Sequence, residues 1–171
     1  MRLAGGFATA FALGLAIGGA AFAVSAQSGA KASLHIDVPV VLKEAKVVFD
    51  MDHLSFEGET PTGLAYMRRM TALFAAQGTR WQVITIFHGP AGYMILNDAA
   101  YNRVKKSTQG NPYRQIIEQL QKAGVQFEEC GETAHLNGWV NTDFLPTVMV
   151  TTSAESRLVQ LAQTGFVKLH P

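Results

Sequence analysis

The fold is decided by the stretch WQVITIFHGP, residues 81–90. Aromatic and β-branched residues dominate it, no charged residue precedes His88, and Gly89-Pro90 ends it. A short run of this composition, bounded by turn residues, is typical of a strand buried inside a sheet. A strand buried on both faces needs helices on both sides of its sheet. Strands and helices are therefore expected to alternate on either side of it.

This alternation begins at residue 46. Residues 46–50 form a compact apolar strand. Apolar residues at helical spacing between positions 64 and 74 then predict a helix, which Gly78 ends. After the central strand, a second helix is predicted over residues 91–106.

Five further elements are predicted in the rest of the chain. They are a helix with Asn111 as its N-cap and Gly124 as its stop, a half-exposed strand at 125–128, a strand at 147–151, a helix capped by Ser153, and an edge strand at 165–169. This order predicts an α/β fold, a three-layer α/β/α sandwich around a mostly parallel sheet of about five strands. The order of the strands within the sheet does not follow from the sequence.

The first 26 residues have the pattern of a secretory signal peptide. A positive charge at Arg2 precedes an uncharged apolar run, and Val24-Ser25-Ala26 supplies small residues for cleavage before Gln27. Ala21-Phe22-Ala23 is a second candidate for the cleavage site, and an uncleaved membrane anchor is the alternative to cleavage. We expect a periplasmic or secreted protein with no stable membrane association after cleavage. Residues 27–45 are interpreted as a lead-in and residues 46–171 as the folded domain.

Charge argues against nucleic acid or anionic lipid as a partner. The chain has 14 basic and 13 acidic residues, a formal net charge of +1. Removal of the signal deletes Arg2 and leaves 13 of each, so the remaining chain is neutral. A neutral chain with interspersed charges lacks the basic patch that such partners require.

Cys130 is the single cysteine of the chain and the main candidate for chemistry. In an exported protein, an unpaired thiol is a buried spectator, an intermolecular linker or a reactive group. Its flanking residues, Glu128, Glu129 and Glu132, argue for a loop rather than the core. A helical turn beginning after Cys130 would favour the thiolate, whereas these three acids would disfavour it.

The predicted sheet gathers several candidate side chains at one edge. His53, His88 and Cys130 follow the first three strands, and Thr133 and His135 lie just after the cysteine. Ligands of open parallel sheets bind at the carboxyl ends of the strands. Cys130 is therefore the candidate catalytic residue, and the other four residues are candidates for substrate binding.

No metal or cofactor is predicted. Cys130 with His135 and His88 is the nearest approach to a metal site, but its spacing is not a zinc signature. Residues 89–92 lack the spaced glycines and the lysine of a phosphate-binding loop. No role is assigned to His35, His170 or Trp139.

Residues 46–171 resemble the DsrE/DsrF-like family of sulfur-relay proteins. The resemblance lies in the order of five segments: KVVF at 46–49, HGPA at 88–91, KAGVQF at 122–127 leading to Cys130, DFLP at 143–146 and QTGFVKLHP at 163–171. It implies an α/β/α domain that forms homo- or hetero-oligomers, often trimers or hexamers. It also implies that Cys130 stands where active members hold sulfur as a persulfide. The best-known members are cytoplasmic, and the predicted export signal departs from them.

The sequence is therefore interpreted as an exported sulfur carrier of the sulfurtransferase type. Cys130 would take sulfur from a small sulfur species and pass it to a partner thiol or small anion, with His88 or His53 orienting the thiol or binding the anion. The alternative is a non-catalytic oligomeric module of the cell envelope, in which Cys130 is inert or senses redox state.

Overall fold

The computed structural model describes residues 33–171, so the predicted signal peptide lies outside the described part of the chain. Residues 33–38 are an exposed segment without regular structure. The folded unit extends from Pro39 to Pro171. Within residues 33–171, no helix combines the length and apolar character that crossing a membrane requires.

The folded unit contains seven strands and five α-helices. The strands are β1 (Glu44–Met51), β2 (Phe56–Glu57), β3 (Thr60–Pro61), β4 (Arg80–Phe87), β5 (Gln126–Cys130), β6 (Met149–Thr151) and β7 (Val167–Leu169). The helices are α1 (Thr62–Gln77), α2 (Asp98–Lys105), α3 (Arg114–Ala123), α4 (Gly131–Asn137) and α5 (Ala154–Gln163). Two 3-10 segments cover Gly89–Ile95 and Asn141–Asp143.

Five strands form one sheet in the order β6-β5-β4-β1-β7. All four neighbouring pairs are parallel, while β2 and β3 form a separate antiparallel pair. The predicted α/β fold and its parallel sheet are confirmed. The stretch that decided the fold is the central strand β4.

Alternation along the strands separates two apolar layers. Phe49, Phe87 and Phe127 lie in the larger layer, which the first three helices help to cover. Val48, Ile84, Ile86 and Cys130 lie in the smaller layer beneath Ala154 and Leu161 of α5.

Several predicted helix ends are confirmed. Gly78 ends α1 and Gly124 ends α3, each with positive φ, a conformation that glycine adopts without steric cost. Ser153 caps α5, because its side chain accepts a hydrogen bond from the Ser156 amide.

The single helix predicted over residues 91–106 is wrong. A 3-10 segment ends at Ile95, and α2 begins only after Asn97, whose side chain accepts a hydrogen bond from the Ala100 amide. Since an N-cap residue has non-helical backbone angles, this cap interrupts the helical path.

The predicted N-cap at Asn111 is also wrong, because α3 begins at Arg114. Asn111 is buried, and its amide group donates to the carbonyl oxygens of Met94 and Leu96 at 2.8 and 2.6 Å. Its side-chain oxygen accepts from the Tyr113 amide. Asn111 therefore satisfies the carbonyls where the 3-10 segment ends, rather than opening a helix.

Strand β5 is buried, which corrects the prediction that it is half exposed. Glu128 is 3% exposed and Glu129 is not exposed at all. The alternation of acidic and apolar residues suggested one solvent-facing side, yet α5 covers that side.

Candidate functional site

Cys130 ends a buried strand and caps a short helix. It is the last residue of β5 and the N-cap of α4, and it is 3% exposed. The expected helical turn after the cysteine is present, but the prediction that its acidic neighbours place it in a loop is wrong. Its side chain packs among the apolar residues beneath α5.

The sulfur of Cys130 faces the first turn of α5. The Ala154 amide, at the first position of that helix, donates to Cys130 Sγ at 3.3 Å. The first amides of a helix have no partner within the helix and carry partial positive charge, so the Ala154 amide is a free donor directed at the sulfur.

Residues 151–152 pack tightly against the chain next to the thiol. A Cβ atom added at Gly131 would lie 2.5 Å from the Thr151 carbonyl oxygen and 3.0 Å from that of Thr152. Glycine is required at this position because the two backbone segments approach so closely.

Glu129 points to the opposite face of the sheet. Neither of its carboxylate oxygens has a hydrogen-bond partner among the described residues. A Cβ atom added at Gly92 would lie 2.7 Å from its Oε1 and 3.1 Å from the Trp139 ring. Burial, with a smaller contribution from Cys130, raises the pKa of Glu129 to about 9. Glu129 is therefore uncharged at neutral pH and does not oppose a thiolate.

Glu128 is paired with Arg157 of α5. Arg157 Nη2 donates to Glu128 Oε1 at 2.8 Å, and its Nε donates to Oε2 at 2.9 Å. The hydrogen bonds with Glu128 raise the pKa of Arg157. Two of the three acids expected to disfavour the thiolate are therefore neutral or neutralised.

A second ion-pair system lies at the end of β4. His88 Nε2 and Asp50 Oδ1 are 2.8 Å apart, and Lys168 Nζ donates to Asp50 Oδ2 at 3.0 Å. The hydrogen bond with Asp50 raises the pKa of His88, although burial opposes it. Burial alone would raise the pKa of Asp50, but hydrogen bonds from His88 and Lys168 outweigh it and lower that pKa.

Replacing Asp50 by asparagine is expected to move the His88 titration to lower pH, because the anionic partner is lost. The ion pair stabilises the fold fully below the ordinary His pKa of 6.5, and this contribution is lost as pH rises through the raised pKa of His88. NMR titration of the His88 ring measures the midpoint. Asp52→Asn serves as the control, since Asp52 acts on His88 through charge without a hydrogen bond and its shift should be smaller. Equal midpoints in Asp50→Asn and the parent would contradict the assignment.

Thr133 and His135 both lie on α4 but differ in surroundings. Thr133 is 8% exposed, and its hydroxyl accepts a hydrogen bond from the Gly89 amide at 2.9 Å. It thus ties α4 to the residue after His88. His135 is exposed and makes none of the side-chain hydrogen bonds found in residues 33–171.

His53 lies in another cluster, at the end of β1. Its Nδ1 is 2.6 Å from Asp52 Oδ1, and His170 Nε2 is 2.7 Å from the same oxygen. Burial alone would raise the pKa of Asp52, but the hydrogen bonds from His170 and His53 lower it to about 2.

The candidate residues share one edge of the sheet but form separate groups. The register pairs Met51 with Phe87 and Phe87 with Glu129, so His53 and His88, which follow β1 and β4, and Cys130, which ends β5, all lie at the carboxyl ends of the strands. His88 contacts Asp50, whereas Cys130 contacts the start of α5.

The structure adds residues that the sequence did not single out. The pairing of β1 with β7 brings Asp50 to Lys168 and Asp52 to His170, and the two residues of each pair are 118 positions apart in the sequence. Arg157 could have been noticed as a cation at helical spacing on α5, but its partner could not.

Two clefts flank these groups. A polar cleft beside the cysteine is lined by Glu128, Arg157, Thr151 and Thr152. A larger, mostly apolar groove lies at the amino ends of the strands, where Ala45, Val47 and Phe74 line it. The polar cleft is the better candidate for an approach to Cys130, because Thr151 and Thr152 also pack beside the thiol.

Comparison with known proteins identifies a family and supports the fold. The model of the DsrE/DsrF-like family matches residues 46–171. No curated protein matches the chain. The solved structure of MTH1491, a protein of unknown function from Methanobacterium thermoautotrophicum, is 20% identical, with a TM-score of 0.58 over 74% of this chain and 99% of that chain. The ychN protein from E. coli is 16% identical, with a TM-score of 0.47 over 73% of this chain and 99% of that chain.

Proposed function

The chain belongs to the DsrE/DsrF-like family, and we propose that it is a sulfurtransferase-type carrier that holds sulfane sulfur as a persulfide on Cys130. The observation that carries this proposal is the contact between Cys130 Sγ and the Ala154 amide at the start of α5. A persulfide anion needs donors aimed at sulfur, and a helix N-terminus supplies them without a second cysteine.

The proposed chemistry is the transfer of one sulfur atom from a donor to Cys130 and then from Cys130 to an acceptor thiol. The Cys130 thiolate attacks the outer sulfur of a donor such as thiosulfate, so a new S–S bond forms and the donor's S–S bond breaks. Sulfite leaves with the electron pair of the broken bond, and Cys130 becomes a persulfide anion. An acceptor thiolate then attacks the terminal sulfur and returns Cys130 as a thiolate. No external oxidant or reductant is consumed.

His88 is the candidate for attracting an anionic donor. Its interaction with Asp50 favours the protonated ring, and Lys168 adds a second positive charge to the same group. Thr133 acts indirectly, since its hydroxyl holds the Gly89 backbone next to His88. His53 and His135 stay candidates for the outer part of the site.

Loading of sulfur requires a movement around Cys130, because the residue is only 3% exposed. Thr151 and Thr152 pack against Gly131, next to the thiol, and line the polar cleft together with Glu128 and Arg157. A shift of this segment would open the sulfur toward that cleft. The donor therefore enters from the β6 side of the sheet.

The partners proposed are a small sulfur donor, an acceptor thiol protein and further copies of the chain, outside the cytoplasm. Apolar side chains on β6, α5 and β7 support self-association, since Met149, Val159 and Val167 are 47%, 58% and 63% exposed. Met149 and Val167 lie on the two opposite edge strands of the sheet, and exposed apolar edges are surfaces that a partner copy can cover. Homo-oligomerisation into a trimer or hexamer would bury them.

The test is sulfur loading of the purified protein. After incubation with thiosulfate or polysulfide, mass spectrometry is expected to find one added sulfur atom on the peptide containing Cys130. The added mass should disappear on reduction and be absent in Cys130→Ser, which keeps the shape of the site. Failure of the parent protein to load, in parallel with a carrier that does load, would refute the proposal.

An inert Cys130 in an oligomeric envelope module is the second candidate function. Its support is the packing of the cysteine among Val48, Ile86 and Leu161 in the core. Alkylation kinetics separate the two candidates. A core cysteine reacts only as fast as the protein unfolds, whereas a carrier cysteine reacts through local opening and much faster than global unfolding.

A further inference from the structure

The group formed by Asp52, His53 and His170 has the chemistry of a metal site. Two imidazoles and one carboxylate are the side chains that zinc and related divalent transition metals bind. One ligand atom from each residue lies within 4.8 Å of the other two. We propose that these three residues bind a divalent transition-metal ion such as Zn²⁺, independently of the sulfur chemistry at Cys130.

The fold brings the three residues together. Phe49 of β1 pairs with Leu169 of β7 in parallel, so Asp52 and His53 leave one strand close to where His170 leaves the other. The Met51 carbonyl, one residue before Asp52, accepts a hydrogen bond from the His88 amide at 3.0 Å. The ligands thus extend from the ends of paired strands, and such positions hold them more firmly than a long loop would.

The hydrogen bonds of the cluster mark the position that a metal ion would occupy. Both imidazoles approach the same atom, Asp52 Oδ1, at 2.6 and 2.7 Å. A metal ion placed between these atoms replaces both ring hydrogens, which move to the opposite nitrogens or are released. The rings already converge, with centroids 4.8 Å apart and planes at 74°.

The cluster is open to solvent on one side. The side chains of His53 and His170 are each 46% exposed and that of Asp52 is 37% exposed. An ion can therefore enter without unfolding, and water completes its coordination. Three protein ligands with an open position are the arrangement of a catalytic or exchangeable zinc site rather than a closed structural one.

Zinc binding is tested by calorimetry on metal-free protein without a histidine tag. The Cys130→Ser variant is the parent, because the thiol is itself a zinc ligand. We expect one Zn²⁺ per chain, with affinity lowered at least about tenfold in His53→Gln and in His170→Gln. His35→Gln is the matched control, since His35 is an exposed histidine outside the cluster with no assigned role, and it should leave the affinity unchanged.

NMR of the same parent keeps the test independent of variant folding. Zn²⁺ is expected to shift the ring signals of His53 and His170 together, and those of His35 and His135 little. Three results would each overturn the proposal: binding weaker than about 1 mM, shifts confined to other histidines, or an equal loss of affinity in His35→Gln. Sulfur loading of Cys130 is a separate readout, so its failure would leave the metal site standing.

Discussion

Replacing Glu129 by glutamine is expected to raise the free energy of unfolding by on the order of 3 kcal/mol at pH 7. Glu129 is fully buried without a hydrogen-bond partner among the described residues, and its pKa rises from 4.5 to about 9. At pH 7 the carboxyl is neutral in the folded state and ionised in the unfolded state. Ionisation of Glu129 therefore stabilises the unfolded state. Glutamine cannot ionise, so it removes this stabilisation while keeping nearly the same side-chain shape.

The direction of the Glu129 pKa shift fixes the pH range over which this residue affects stability. Below pH 4.5 the carboxyl is protonated in both states, and the folded protein carries no penalty from it. As pH rises from 4.5 to about 9, stability falls by about 1.4 kcal/mol per unit, because the folded state binds one more proton than the unfolded state. Above that range the loss is complete.

Urea unfolding of the parent and the variant at pH 5 and pH 8 measures the effect. The two stabilities should lie close together at pH 5 and diverge at pH 8. Glu59→Gln is the matched control, because Glu59 is exposed and its replacement should change stability by less than about 0.5 kcal/mol. Parallel pH profiles of the parent and Glu129→Gln would show that the carboxyl is ionised inside the fold.

The sequence was sufficient to predict local features of the fold, but it was not sufficient to predict the burial of Glu129. The apolar run at 81–87 and Gly78 correctly indicated a central strand and a helix end, because strand composition and positive φ are local properties. Burial of Glu128 and Glu129 is not local. Acidic residues are almost never fully buried unless they are paired, so their presence predicted a loop.

Long-range pairing explains the other differences. Glu128 is neutralised by Arg157, 29 residues later, and Asp52 meets His170 across 118 residues. Both contacts depend on which strand or helix lies beside which, and one sequence does not contain the order of the sheet. The sequence could place His53, His88 and Cys130 at one edge, because the carboxyl ends of parallel strands share it. It could not divide them into separate groups.

Replacing Arg157 by methionine is expected to destabilise the protein by about 3 kcal/mol, the loss typical of a buried ion pair that loses one partner. Glu128 is 3% exposed, and Arg157 supplies three of its hydrogen bonds. Without the guanidinium, a carboxylate stays buried with only the Gln126 amide as its donor among the described residues. Methionine retains much of the aliphatic stem, so lost packing contributes little.

A double-mutant cycle separates the charge from the packing. Adding Glu128→Gln to Arg157→Met removes the unpaired charge, and stability should recover by about 2 kcal/mol, because a neutral amide is less costly to bury than a carboxylate. Arg157→Lys retains the charge but loses the bidentate contact with Glu128. Its free energy of unfolding should therefore lie between those of the parent and Arg157→Met. Urea unfolding at pH 7 measures five proteins: the parent, Arg157→Met, Glu128→Gln, the double variant and Arg157→Lys. An additive cycle would mean that Glu128 and Arg157 do not interact, and α5 would then be held against β5 by its apolar residues alone.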